Sequence, residues 1–95
     1  MEPLDHVAID TALGVLPNWQ HDGDVLVRTL KRRDWLDAIG LVDAVAREAE
    51  RRNHHPDVCV TGYRTVVFRL TTHTAGGVTR RDLDLAAAID SIAED

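Results

Sequence analysis

The sequence predicts an α+β fold: a four-stranded antiparallel sheet with helices packed on one face, in the order α-β-β-α-β-β-α. Three observations carry this expectation. Apolar residues recur at three-four spacing near the start, in the middle and at the end of the chain, as amphipathic helices require. Between these segments lie runs that alternate apolar and polar side chains, the period of half-buried strands. Glycine-containing breaks, Asp22-Gly23 and Gly62, separate consecutive runs closely enough to join antiparallel neighbours.

The first helix is expected over Pro3 to Val15, with Leu4, Val7, Ala8, Thr11, Ala12 and Val15 lining one face and Gly14 and Pro17 ending it. A short extended stretch follows at Trp19 and Gln20, and His21-Asp22-Gly23-Asp24 makes the turn. Val25 to Leu30 is a strand that places Leu26, Arg28 and Leu30 on one side. Asp34 is the expected N-cap of the longest helix, Trp35 to about Asn53. Its expected core stripe is Trp35, Ile39, Val42, Ala46 and Ala49, widened by Ala38 and Val45, and part of that stripe is available to another subunit. Pro56 disfavours helical geometry at His55 and ends the helix there. Val58 to Thr61 and Tyr63 to Thr72 are the last two strands, with Val66, Phe68 and Leu70 sharing a face. After the Ala75-Gly76-Gly77 loop, Thr79 to Asp82 has the spacing of a capping box for a final helix, Leu83 to about Ala93.

Composition narrows the function. Ninety-five residues suit a single domain spanning 1–95. Sixteen acidic against eleven basic residues give a net charge of -5, which argues against direct nucleic-acid binding. The single cysteine, Cys59, has no intramolecular partner, so the fold needs no oxidising compartment; its place in an apolar strand predicts a buried, inert thiol. No long apolar run and no signal-peptide pattern is present, which points to a cytoplasmic protein with no membrane partner.

Chemistry is concentrated in the histidines. His54 and His55 are adjacent at a helix end, and His73 sits between a strand and the Gly-Gly loop. Imidazole titrates nearest physiological pH, so such a group is suited to donating one proton and accepting another without a covalent intermediate. Glu50 precedes His54 by one helical turn and is expected to orient it; with the helix C-terminus it favours the imidazolium and hence an acid role for His54. A metal site is disfavoured, because adjacent side chains diverge and the i,i+4 histidine pair of helical zinc sites is absent. No glycine-rich phosphate loop or other cofactor motif is present, and the expected cofactor set is empty. His6 and His21 stand apart and read as surface residues.

Glu50-Arg-Arg-Asn-His54-His55-Pro56-Asp57, Tyr63, Thr72-His73 and Gly76 to Asp82 together resemble the pterin-4a-carbinolamine dehydratases. The resemblance extends to Leu16-Pro17-Asn18-Trp19 upstream and to Leu85, Ala86 and Ile89-Asp90 downstream, nearly the whole chain. It implies the same four-stranded fold and the loss of water from a 4a-hydroxytetrahydropterin, which recycles the cofactor of aromatic amino-acid hydroxylases. It implies His54, His55 and His73 as catalytic, with Glu50 tuning His54 and Asp82 holding His73. Asn53, His54, His55, Thr71, Thr72 and His73 would hold the flat pterin substrate. A homodimer or homotetramer is implied as well, and hiding the edge strands gives a physical reason for one. Members of this fold also act as dimerisation partners of a transcription factor and as assembly chaperones, so a non-catalytic binding module is the alternative. The chain departs from the family pattern at Asn18, where glycine is usual, and at the entry to the long helix, where the family is aromatic-rich, often with Phe at the positions of Trp35 and Leu36, and this chain has Arg32, Arg33 and a single Trp35. The segment from Pro56 to Tyr63 is one residue longer than usual, which predicts a bulge near Gly62.

Overall fold

The computed structural model describes residues 2–94. Its elements are α1 (His6–Ala12) with a 3-10 turn (Leu13–Val15), β1 (Gln20–Asp22), β2 (Val25–Lys31), α2 (Trp35–Arg52), β3 (Asp57–Thr61), β4 (Thr65–Leu70), a second 3-10 turn (His73–Ala75) and α3 (Arg80–Ala93). The sheet is antiparallel throughout, in the order β1-β2-β4-β3. The expected order of helices and strands is therefore the observed one.

One sheet face is the floor of the core. Leu26 and Leu30 of β2 and Val66, Phe68 and Leu70 of β4 are all buried, as the two-residue period demands. Leu83, Leu85, Ala86 and Ile89 of α3 close over them, with Ala38, Leu41, Val45 and Ala49 of α2. Trp19 is buried beside α3, and its indole N–H donates to Asp90 Oδ1 at 2.8 Å; the Arg28 guanidinium binds the same carboxylate oxygen. These bonds give the Trp19 and Asp90 ends of the sequence pattern a structural purpose.

Four expectations need correction. In α1 the residue that enters the core is Ile9, while Val7 and Val15 are exposed. The helix proper spans fewer residues than the apolar pattern suggested, because its N-cap is Asp5, whose side chain accepts from the Ala8 N–H at 2.8 Å. In α2 the buried stripe is Ala38-Leu41-Val45-Ala49, and Trp35, Ile39 and Ala46 face outward with Val42 at the margin. The helix carries two adjacent apolar stripes, and the sheet covers only one of them. Around Gly62 no bulge forms: the β3–β4 register runs unbroken from Asp57↔Arg69 to Thr61↔Thr65. Gly62 and Tyr63 both take left-handed φ, 55° and 57°, and absorb the extra residue in a turn. Cys59 lies on the edge strand β3 and is exposed. It alternates with Val58 and Val60, so its side chain belongs to the face that no helix covers.

The remaining boundaries differ by small amounts. Asp34 caps α2 through the Asp37 N–H at 2.8 Å. At the first hairpin, β1 reaches Asp22 and the turn is Gly23-Asp24, with Gly23 at φ 61°. His21 is half-buried instead of exposed: its ring lies 4.9 Å from that of His6, and Nδ1 is 3.5 Å from Asp10. Among the described residues no helix is long and apolar enough to cross a membrane.

Candidate active site

Three chain reversals bring the site together. The first is the end of α2. Asn53 adopts a left-handed conformation, φ 51° and ψ 43°. The His54 N–H then bonds to the Ala49 carbonyl at 3.1 Å and the Asn53 N–H to that of Glu50, the two bonds of a Schellman cap. This reversal turns His54 inward, to 7% exposure, and leaves His55 outside. Pro56 then starts the chain into β3.

The second reversal follows β4. Thr72 and Gly77 form an isolated antiparallel bridge, with the Thr72 N–H donating to the Gly77 carbonyl at 3.0 Å. The loop they close carries His73 at its tip, its imidazole exposed and without a hydrogen-bond partner among the described residues. Gly76, at φ 76°, ends the 3-10 turn in a conformation that side chains resist. The third is the start of α3, where Thr79 and Asp82 form the expected capping box.

Asp82 does more than cap. It is fully buried, and its Oδ2 accepts from the Thr79 N–H at 2.8 Å and from the Thr72 hydroxyl at 2.7 Å. Its Oδ1 lies 2.6 Å from His54 Nε2. An ionised carboxylate only accepts, so beside one Nε2 is the donor, and an imidazole in its neutral form then has its lone pair on Nδ1. The neighbouring hydroxyls follow. Thr72 donates its hydrogen to Asp82, so Thr79, 2.8 Å away, donates to Thr72 and takes the Arg81 N–H in return.

The pairings thus differ from the expected ones. Asp82 holds His54, not His73. Glu50 holds His55, with Oε2 2.5 Å from Nε2, not His54. The reason is the Asn53 reversal: a turn of helix continued from Glu50 would reach His54, but the helix ends at Arg52. The Glu50–His55 pair is exposed, 77% and 55% at the side chains.

Asn53, His54, His55, Thr71, Thr72 and His73 all border one cavity of about 220 Å³, together with Thr74 and Arg81. All six residues expected to hold the ligand therefore meet. Asp82 lies behind His54, and Glu50 stands beside His55 on the neighbouring apolar groove. Thr74 and Arg81 are the lining residues that reading by residue type missed; Arg81 stands in a helix start beside Arg80 and reads as a solvated charge. Its Nη2 donates to the Asn53 carbonyl at 2.7 Å and so ties α3 to the α2 cap. Two larger hollows, of about 460 Å³ each, border Arg28 with Asp90 and Arg32 with Asp37; neither contains an imidazole. Among the described residues no group of three His, Cys, Asp or Glu side chains is placed to hold a metal ion.

The arrangement defines a small α+β protein whose imidazoles gather at one end of the sheet around a buried aspartate–histidine pair. The chain belongs to the pterin 4 alpha carbinolamine dehydratase family, whose model matches residues 2–92. A protein of Nocardia farcinica provisionally named a pterin-4-alpha-carbinolamine dehydratase is 50% identical over 92 residues, 97% of this chain and 96% of that protein. One of the same provisional name from Mycolicibacterium smegmatis is 41% identical across the full length of both. A crystal structure of a transcriptional coactivator/pterin dehydratase from Brucella melitensis superposes with a TM-score of 0.90 at 33% identity, covering 98% of this chain and all of that one. A pterin dehydratase-like protein described as a RuBisCO assembly factor in the alpha-carboxysome shares the fold, with a TM-score of 0.65 at 22% identity over 81% of this chain and 88% of that one.

Proposed function

We propose that this protein dehydrates a 4a-hydroxytetrahydropterin to the quinonoid dihydropterin by histidine acid–base catalysis, with no metal or cofactor, as part of tetrahydropterin recycling in the cytoplasm. The observation that carries the reading is the convergence of His54, His55 and His73 on one cavity, with Asp82 fixing the ring of His54. In the reaction the C4a–O bond breaks, and its electron pair leaves with the hydroxyl, which takes up a proton to become water. The N5 lone pair forms the C4a–N5 double bond, and the proton on N5 passes to a base. His54 is the base: its hydrogen is tied to Asp82 through Nε2, and the carboxylate stabilises the imidazolium that forms. This reverses the acid role expected for His54 from Glu50 and the helix C-terminus, since Glu50 pairs with His55. His73, exposed and with its ring unpartnered at the cavity rim, delivers the proton to the hydroxyl. His55 with Glu50, and Asn53, Thr71 and Thr72 on the cavity wall, hold the ring in plane.

The test is stopped-flow decay of a 4a-hydroxytetrahydropterin. Wild type should accelerate it well beyond buffer, and His54→Ala and His73→Ala should each lose about a hundredfold or more. Decay at the buffer rate with folded wild-type protein would refute the reading.

The outward stripe of α2 supports a second property. Trp35 is 50% exposed and Ile39 37%, and Val42 and Ala46 lead into an apolar groove of about 260 Å³ against Val58 and Pro56. Such a face wants a partner. A homodimer or homotetramer packed through it is the assignment favoured here; light scattering on Trp35→Glu/Ile39→Glu should then report a smaller particle than wild type. The same stripe is the surface a non-catalytic binding module would use, and a dehydratase-inactive protein that retained a host partner on it would favour that role.

A further inference from the structure

Arg81 belongs to two hollows. It borders the imidazole cavity on one side and, with Arg52, His54 and Asp84, a second hollow of about 210 Å³ on the other. The two spaces share His54 and Arg81 in their linings. Charges in the second hollow are mostly spent. Arg52 is bound to Glu48 at 2.5 Å, and Asp84 to Arg80 at 3.3 Å. Arg81 differs: both of its side-chain bonds leave from Nη2 and end on backbone carbonyls, those of Arg52 and Asn53. Among the described residues no carboxylate pairs with it, and Nε and Nη1 have no partner. A half-buried guanidinium fixed at one nitrogen, with the rest of its fork unused, is a prepared site for an anion. The pterin bicycle carries no such anion; its C6 substituent can.

We propose that the hollow bounded by Arg52, His54, Arg81 and Asp84 receives the C6 side chain of the pterin, and that Arg81 makes the protein prefer side chains ending in phosphate. The proposal rests on the dehydratase reading and narrows its substrate class. Arg81 binds and positions; it takes no part in proton transfer.

Isothermal titration at about 0.15 M ionic strength, where exposed charges are screened, separates this proposal from the reading beneath it. The probes are 6-methyl-dihydropterin, dihydroneopterin and dihydroneopterin monophosphate. The monophosphate should bind about tenfold more tightly than the methyl compound, as one charge-assisted contact allows. Arg81→Gln should remove that ratio. Asp84→Asn, at an exposed position that should not endanger folding, should enlarge it by removing a nearby negative charge. Equal affinities for all three probes in wild type would overturn the side-chain lobe while leaving the pterin reading intact. A preference that survives Arg81→Gln, or one that Asp84→Asn leaves unmoved, would also overturn it. Failure of every probe to bind would overturn both.

Discussion

Replacing Asp82 by Asn changes one atom and sets two tasks against each other. In the native protein the carboxylate accepts from three donors: the Thr79 N–H, the Thr72 hydroxyl and His54 Nε2. An amide has one oxygen to give. If that oxygen stays with Thr79 and Thr72, the NH2 faces Nε2, and His54 must move its hydrogen to Nδ1, losing the lone pair that the proposed reaction uses. If the oxygen turns to His54, the NH2 meets the Thr79 N–H and the Thr72 hydroxyl, and the capping bond is lost. The side chain is fully buried, so water does not relieve either conflict. A buried donor left unpaired costs about 1–3 kcal/mol, and a lost N-cap about 1 kcal/mol. The second orientation should cost about 2 kcal/mol of stability, a fall in Tm of roughly 8–16 °C for a domain of this size. The first should instead lower turnover by about a hundredfold or more, as His54 takes the wrong tautomer. Thermal unfolding by circular dichroism and stopped-flow dehydration on the same preparation measure both. An Asp82→Asn variant within about 2 °C of wild type that keeps its turnover would refute the view that one carboxylate serves both cap and imidazole, because an amide at this position has no orientation that serves the cap, Thr72 and His54 with the His54 hydrogen left on Nε2.

Three further outcomes follow from the same geometry. Glu50→Gln, on an exposed pair, should change stability by less than about 0.5 kcal/mol in urea unfolding, in contrast to the Asp82 variant. Trp19→Phe keeps the buried ring but leaves Asp90 without the indole N–H, and should cost about 1–3 kcal/mol in the same assay. The backbone N–H of Arg33, with the Arg32 guanidinium, holds the Asp37 carboxyl below its usual range. A depressed folded-state value adds stability above the unfolded-state value that is lost as pH falls through the folded one. Wild type should therefore lose more stability than Asp37→Asn between about pH 5 and about pH 3, measured by denaturant midpoints.

The order of elements was legible because periodicity is a local signal: the alternation in β2 and β4 and the caps at Asp34 and Thr79 each depend on a few neighbours. The residues that gather at the cavity were legible from the family resemblance, by residue number. What sequence did not disclose was orientation. The face of α2 that meets the sheet depends on how the helix is rolled, and both of its stripes are apolar enough. The partners of His54 and His55 depend on a single left-handed residue, Asn53, which turns a chain that residue spacing treats as continuous helix. Cys59 read as buried because Val58 and Val60 flank it, yet nothing local says that β3 lies at an edge. Arg81 passed unnoticed for the same reason: its importance lies in the carbonyl of Asn53, which is near only in space.

The sharing of Asp82 between helix cap and imidazole has an evolutionary corollary. A descendant that abandoned catalysis to serve only as a scaffold would still require that aspartate to start α3, so selection for folding alone would preserve it. The His73 ring, by contrast, contributes no bond to the architecture and is free to mutate once turnover ceases to matter. Under the proposed mechanism, the loop imidazole, and not the buried carboxylate, is the position expected to distinguish catalytic from non-catalytic homologues of this shape.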